Sequence, residues 1–387
     1  VVTNSGAVPA TSIADGAGLA APFDYTGAAY PGTGGDCGVT LGAGASCNIE
    51  AQWIPSAAVL ESDTIIINYD DGAVAQVLNH GLQGTGANPA SITISEADPY
   101  DYGSITENAT STHIFTLTNG GGVSATSVTE IGLAAPFAFS GGAFPGTGGT
   151  CLPTIGAGAN CDIEIEFAPT STGLLADTIE IQYDNGATVV QSDRDVQGTG
   201  LAAAILSISD GPGNYDYGTV PTGSSNSHTF TITNTGGSTA TAIAGSGLAA
   251  PFTFEGGSYP GTTGTCGVTL NAGANCDIVV EYNPIGVSAG DNDTILIDYN
   301  DGAAAQQSTR GLDGIAVAPA TLTISETDPY SFGTLAVGAT ATHIFTINNT
   351  GDFQASAMVE SGLAAPYSYT GGSYPGTAGD CAATLNA

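Results

Sequence analysis

The chain is 387 residues long, enough for several domains, and 42% of it is apolar, so a core is available. Thirty-six Asp and Glu stand against two basic residues, Arg194 and Arg310, with no lysine, for a net charge of −34 at pH 7. That balance excludes nucleic-acid and anionic-membrane binding, and the missing lysine excludes Schiff-base, P-loop and Lys–Asn isopeptide chemistry.

No apolar run approaches the roughly 18 residues of a membrane-spanning helix. The opening Val1-Val2-Thr3-Asn4 does not read as a signal peptide, so residue 1 is expected to lie inside a longer precursor.

Glycine is abundant, 57 residues, and it recurs at fixed places. Gly-Leu-Ala-Ala-Pro-Phe starts at Gly18, Gly132 and Gly247, and Gly-Leu-Ala-Ala-Pro-Tyr at Gly362, spacings of 114, 115 and 115. His113, His228 and His343 keep the same step, as do the Asp-Thr-Ile strings at Asp63, Asp177 and Asp293. Such a period is too long for a solenoid repeat and fits a whole small domain. The repeats are set at 1–87 (N-terminal part missing), 88–201, 202–316 and 317–387 (C-terminal part missing). Boundaries fall after Gly84-Thr-Gly86, Gly198-Thr-Gly200 and Gly311-Leu-Asp-Gly314, and joints that short predict a stiff rod. The partial modules at the two ends imply a chain that continues both ways, or half-domains that complete each other between chains.

Within 88–201 the candidate strands, in chain order, are Ser91–Ser95, Ser111–Asn119, Ala125–Ile131, Phe137–Ser140, Ile163–Phe167, Asp177–Tyr183 and Ala187–Gln197. Ile179, Ile181 and Tyr183 alternate with Glu180 and Gln182, the period of a half-buried antiparallel strand. Asp70-Asp71-Gly72, Asp184-Asn185-Gly186 and Asn300-Asp301-Gly302 predict tight hairpin turns. No segment carries a capped helical period. The expected fold is all-β: tandem immunoglobulin-like β-sandwich domains of about 115 residues.

Cys37/Cys47, Cys151/Cys161 and Cys266/Cys276 repeat one spacing, and Cys381 is unpaired within the sequence. Zinc favours shorter Cys spacing with histidine, and redox sites favour Cys-x-x-Cys, so one local disulfide per repeat is the reading. It implies an oxidising compartment, hence an extracellular or cell-surface location.

The run Phe115-Thr-Leu-Thr-Asn-Gly, Pro136-Phe137, Cys151, Gly156-Ala-Gly-Ala-Asn-Cys161 through Pro169, and Gly198-Thr-Gly200 resembles the bacterial choice-of-anchor D repeats and their hydin-type Ig-like relatives. The resemblance extends over all four copies. It implies an Ig-like sandwich in long exported bacterial proteins, without a catalytic site. The Tyr/Phe-Pro-Gly-Thr loop (Tyr30, Phe144, Tyr259, Tyr374) departs from it and is a candidate contact loop.

Catalytic residues are not expected. The histidines, one per repeat, read as partly buried side chains with a backbone partner, no Gly-x-Ser-x-Gly elbow occurs, and Glu164 with Glu166 reads as a solubilising face. Calcium is the one cofactor weighed, with candidates Glu96, Asp98, Asp101, Asp210, Asp216, Asp291, Asp293, Glu326 and Asp328, although no EF-hand loop is present. Asn108, Asn292 and Asn348 open glycosylation sequons. The function expected is a structural extracellular rod, fibre or filament whose partner is itself. The stalk of a large adhesin, or a surface-layer component, is the alternative.

Overall fold

In the computed structural model, which describes residues Val1–Ala387, the period-2 stretches become strands and no α-helix forms. Residues 1–87 carry β1 (Val2–Thr3), β2 (Thr11–Asp15), β3 (Phe23–Tyr25), β4 (Ser46–Cys47), β5 (Ala51–Trp53), β6 (Leu60–Asp70) and β7 (Ala75–Thr85). Next come β8 (Ile92–Ile94), β9 (Tyr100–Thr106), β10 (Ser111–Asn119), β11 (Ala125–Glu130), β12 (Phe137–Phe139), β13 (Thr154–Ile155), β14 (Asn160–Phe167), β15 (Gly173–Asp184) and β16 (Val189–Leu201). The following set is β17 (Leu206–Ile208), β18 (Tyr215–Pro221), β19 (Asn226–Asn234), β20 (Thr241–Ser246), β21 (Phe252–Phe254), β22 (Asn275–Tyr282), β23 (Ser288–Asn300) and β24 (Ala305–Val317). Two short strands, β25 (Leu322–Ile324) and β26 (Ile347–Asn349), close the order.

β8–β16 form two facing sheets, ordered β12-β14-β10-β8 and β13-β11-β15-β16-β9. β17–β24 repeat this as β17-β19-β22-β21 and β18-β24-β23-β20. The architecture is a tandem of Ig-like β-sandwiches. The chain divides into two compact units. One is Val1–Gly103 with Thr110–Ala168 and Leu174–Thr199; the other is Ser104–Ala109 with Pro169–Gly173 and Gly200–Ala387.

Alternation tells which side chains fill the gap between sheets. Ile163, Ile165, Phe167, Ile179 and Ile181 are wholly buried, while Glu164, Glu166, Glu180 and Gln182 keep water. In the second unit Phe230, Ile232, Phe252, Ile278, Tyr282, Ile295 and Ile297 do the same. Burying each such side chain is worth about 1.5–3 kcal/mol relative to leaving it exposed.

Two pairings differ from the expected pattern. β18 lies parallel to β24, with Tyr215 opposite Leu312 and Pro221 opposite Val317. Its sequence, Tyr-Asp-Tyr-Gly-Thr-Val-Pro, alternates too weakly to announce a strand. The hairpins between β15 and β16 and between β23 and β24 use four-residue loops rather than two-residue turns. Asp184 Oδ1 accepts from Gly186 N, and Asn185 Oδ1 from Ala187 N and Thr188 N, so the Asx side chains replace backbone turn bonds.

The recurring strings turn out to contact one another. Asp177 Oδ2 accepts from Ala134 N and its Oδ1 from Thr178 N, which pins the Gly-Leu-Ala-Ala-Pro loop to β15. Asp63 does this for Ala20, and Asp293 for Ala249.

Candidate functional site

The histidine row, the acidic loop after each first strand and the two arginines converge on one place per repeat. His113 on β10 stacks on Tyr100 of β9 with ring centroids 4.1 Å apart, and its Nδ1 lies 2.9 Å from the Tyr100 hydroxyl. Its Nε2 faces Glu96 Oε1 at 3.6 Å. His228 stacks on Tyr215 at 3.9 Å and meets Asp210 Oδ2 at 3.1 Å; His343 stacks on Tyr330 at 4.1 Å and faces Glu326 at 3.3 Å. The partner of each histidine is therefore a tyrosine and a carboxylate, not the backbone group expected from sequence. Sequence periodicity placed the histidine on the inward row but could not show that the next loop turns back over it.

That loop turns because its acidic residue adopts a left-handed backbone, φ 77° at Glu96, 65° at Asp210 and 76° at Glu326. Side chains rarely tolerate this conformation, so tertiary contacts must hold it. Beside Glu96 and Asp210 an arginine fastens the strand end, whereas Glu326 takes the same backbone in a repeat that contains no arginine. Arg194 on β16 donates from Nη2 to Ile94 O at 2.7 Å and sits 3.9 Å from Asp98. Arg310 on β24 donates to Ile208 O at 2.7 Å and Gly213 O at 2.9 Å. Both arginines thus fasten the end of a first strand to a last strand. The Ser209 hydroxyl and His228 hold the Asp210 carboxyl below the usual carboxylate range.

The calcium candidates are not gathered. Glu96, Asp210 and Glu326 face histidine; Asp98 accepts from Asp195 N, and Asp101 from Gly103 N and Gln197. Asp216 accepts from Gly218 N, Asp291 from the Tyr282 hydroxyl, Asp293 from Ala249 N and Thr294 N, while Asp328 is exposed. No three His, Cys, Asp or Glu side chains come together as a metal-holding group. All of these carboxylates but Asp328 therefore face a hydrogen-bond donor or a histidine, some from the adjoining backbone and some from distant strands.

The other site candidates are structural in the same sense. Cys37–Cys47, Cys151–Cys161 and Cys266–Cys276 are disulfides with Cα separations of 4.9, 4.8 and 4.8 Å, and Cys381 is a free thiol. Glu164 is more than a solubilising residue, since its Oε2 accepts from Gly148 N in the Pro-Gly-Thr loop. That loop folds inward: Tyr30, Phe144 and Tyr259 pack edge-on against Tyr25, Phe139 and Phe254, each at 5.5 Å. Burial pushes the Tyr259 phenol up to about 12, and its hydroxyl has no hydrogen-bond partner.

Asparagine is the buried polar residue that sequence reading missed. Asn119 is fully buried; its amide donates to Val123 O, Ile155 O and Gly156 O while its oxygen accepts from Ser91 N and Gly121 N. Asn4, Asn234 and Asn349 hold corresponding loops. The signal was present, an Asn at the end of a strand in every repeat.

A family model for the HYDIN/CFA65/VesB-like Ig-like domain matches residues 207–312, roughly a quarter of the chain. No curated protein matches. Among solved structures, a protein of unknown function from Porphyromonas gingivalis W83 is 12% identical with a TM-score of 0.24, covering 58% of this chain and 99% of that one. The Vibrio cholerae VesB protease is 16% identical with a TM-score of 0.23, covering 29% and 32% of the two chains. The ASH/PapD-like domain 7 of human CEP192 is 15% identical with a TM-score of 0.22, covering 30% and 88%. The matched region supports a hydin-type Ig-like repeat.

Proposed function

We propose that the chain is a structural module of an extracellular bacterial protein, its Ig-like repeats serving as the body of a fibre, stalk or surface filament. The observation that carries this is repetition of the same clamp. Histidine, tyrosine, acid and disulfide recur in step, and each is engaged by its own repeat, so no repeat is specialised toward a ligand. Three disulfides fit an oxidising compartment. No helix is long and apolar enough to cross a membrane. Carriage of these repeats on a longer choice-of-anchor D protein belongs to the same reading.

Immunogold labelling with antibodies against residues 88–317 tests it. Label along filaments or at the outer surface of source cells is expected. Label confined to the cytosol, with the six paired cysteines recovered as thiols, would overturn it.

A further inference from the structure

The hairpins β6–β7, β15–β16 and β23–β24 each turn on an Asx-Gly pair, Asp71-Gly72, Asn185-Gly186 and Asp301-Gly302. The turn demands both residues. The Asx oxygen accepts from the second and third N–H groups after it, and the glycines take φ of 95°, 92° and 104°, a conformation that strains any β-carbon. Of the three Asx residues, Asn185 alone carries an amide. Gln76 and Gln306 donate to the second carboxylate oxygen of Asp71 and Asp301. Val190 stands at that place after Asn185, so its side chain offers the Asn185 amide no hydrogen bond.

The turn surrounds that amide with the groups that an acyl transfer uses. Gly186 N, the neighbouring backbone nucleophile, donates to Asp184 Oδ1 at 2.8 Å, which places a base on its proton. Ala187 N and Thr188 N, each 2.9 Å from Asn185 Oδ1, polarise the side-chain carbonyl and sit where negative charge would develop on that oxygen. Asn185 is only half-buried, so water reaches it and ammonia can leave. The other Asn-Gly pair in the chain, Asn119-Gly120, is arranged differently. Asn119 is fully buried, its Nδ2 is held by three carbonyls, and Gly120 N donates to Ser91 O at 2.8 Å.

We infer that Asn185 is a self-catalysed modification site, converted by its own turn into an aspartate. Gly186 N attacks Asn185 Cγ while Asp184 takes the Gly186 N–H proton, and the oxyanion forms on Oδ1 between the Ala187 and Thr188 N–H groups. Collapse breaks the Cγ–Nδ2 bond, the proton passes from Asp184 to Nδ2, and ammonia leaves a succinimide ring. Water then adds to the same polarised Cγ, the Cγ–N bond breaks, and Gly186 N regains its proton. The net change is one amide and one water to one carboxylate and one ammonium. Opening at Cγ keeps the backbone regular, and the turn already accommodates an aspartate there, at Asp71 and Asp301. Opening at the backbone carbonyl would lengthen the main chain by one carbon and break these turn bonds. The reaction is independent of the filament reading.

The test is incubation of the native 387-residue protein at neutral pH in heavy-oxygen water, followed by proteolytic mapping with mass spectrometry. Expected is an amide-to-acid exchange carrying one heavy oxygen at Asn185 and none at Asn119, with aspartyl product in excess of isoaspartyl. Conversion should run about tenfold or more faster than in the same chain reduced and unfolded in urea, which loses the placed base and the oxyanion donors. Asp184→Asn should slow it by about tenfold or more, because an amide accepts the Gly186 hydrogen bond but takes no proton. That substitution preserves the turn, since Asn300 holds the equivalent place and accepts from Gly302 N, and unchanged circular dichroism checks this. A native rate no faster than the unfolded one, a rate unchanged by Asp184→Asn, or a mainly isoaspartyl product would overturn the inference.

Discussion

The Tyr282 hydroxyl donates to Asp291 Oδ2 at 2.6 Å, joining the last residue of β22 to the fourth residue of β23. The same two positions in residues 1–87 are Trp53 and Glu61, where the indole Nε1 donates to Glu61 Oε2 at 2.9 Å. In residues 88–201 they are Phe167 and Leu175, an apolar pair. A ring with a donor is matched to a carboxylate, and a ring without one to a leucine. Each ring lies over a glycine of the last strand, Gly84, Gly198 or Gly314, where an added Cβ would come within 2.7 Å of ring carbon.

Asp291→Leu alone should therefore cost about 1–3 kcal/mol, since it strands a buried hydroxyl. Combined with Tyr282→Phe it should be close to neutral, because the double variant rebuilds the Phe167–Leu175 pair. Hydrogen-exchange protection of β22–β24 measures both, and additive costs would contradict a direct coupling.

Reduction of the disulfides should lower the melting temperature of both complete sandwiches. Each bond closes a loop of sequence separation 10, worth roughly 2.8 kcal/mol in the chain-entropy account. Calorimetry with and without reductant gives the answer. Two transitions unmoved by complete reduction, verified by thiol counting, would show that the loop is held by its backbone bonds alone.

Acid stability should depend on the hairpin aspartate Asp301. Burial pushes its carboxyl up, but the N–H groups of Ala304 and Ala303 and the Gln306 amide more than offset this and leave it below the usual value. A depressed carboxylate stabilises the fold fully above its unfolded pKa of about 3.9, and that contribution disappears as pH falls through the folded value. Asp301→Asn keeps the two backbone acceptances, as Asn185 does, and loses the charge. At pH 7 the variant should be less stable by on the order of 1 kcal/mol. The gap should close below about pH 4, in denaturant titrations, as the wild-type carboxylate protonates. A gap constant with pH would refute the assignment.

Salt should stabilise the chain. With a net charge of −34 and ion pairs limited to Arg194 and three histidines, repulsion among carboxylates goes largely uncompensated. The Debye length shrinks from about 30 Å at 0.01 M to about 8 Å at 0.15 M, so the melting temperature should rise over that range. Calcium at matched ionic strength should add nothing beyond sodium, given that the candidate carboxylates are dispersed onto separate donors. A much larger rise with calcium would establish a specific cation site.

The sequence by itself determined the period, the strand faces and the cysteine pairs, because each is a local or near-local property. Alternation of Ile179, Ile181 and Tyr183 with polar neighbours selects a buried face whatever lies opposite. Cys151 and Cys161 are close enough in the chain to meet without help from the rest of the fold. What a residue touches across the sandwich was decided only by tertiary structure. The group that Glu96 meets is decided only when Arg194, about a hundred positions later, fastens the strand end at Ile94 and the loop turns back over His113. Tyr100–Thr106 becomes a strand because a neighbour offers its edge, not because its own pattern demands it. Asn119 is hydrophilic by composition and buried by position, since five backbone groups from loops far apart in sequence converge on one amide. Long-range pairing assigns those partners, and a period read along the chain carries no information about it.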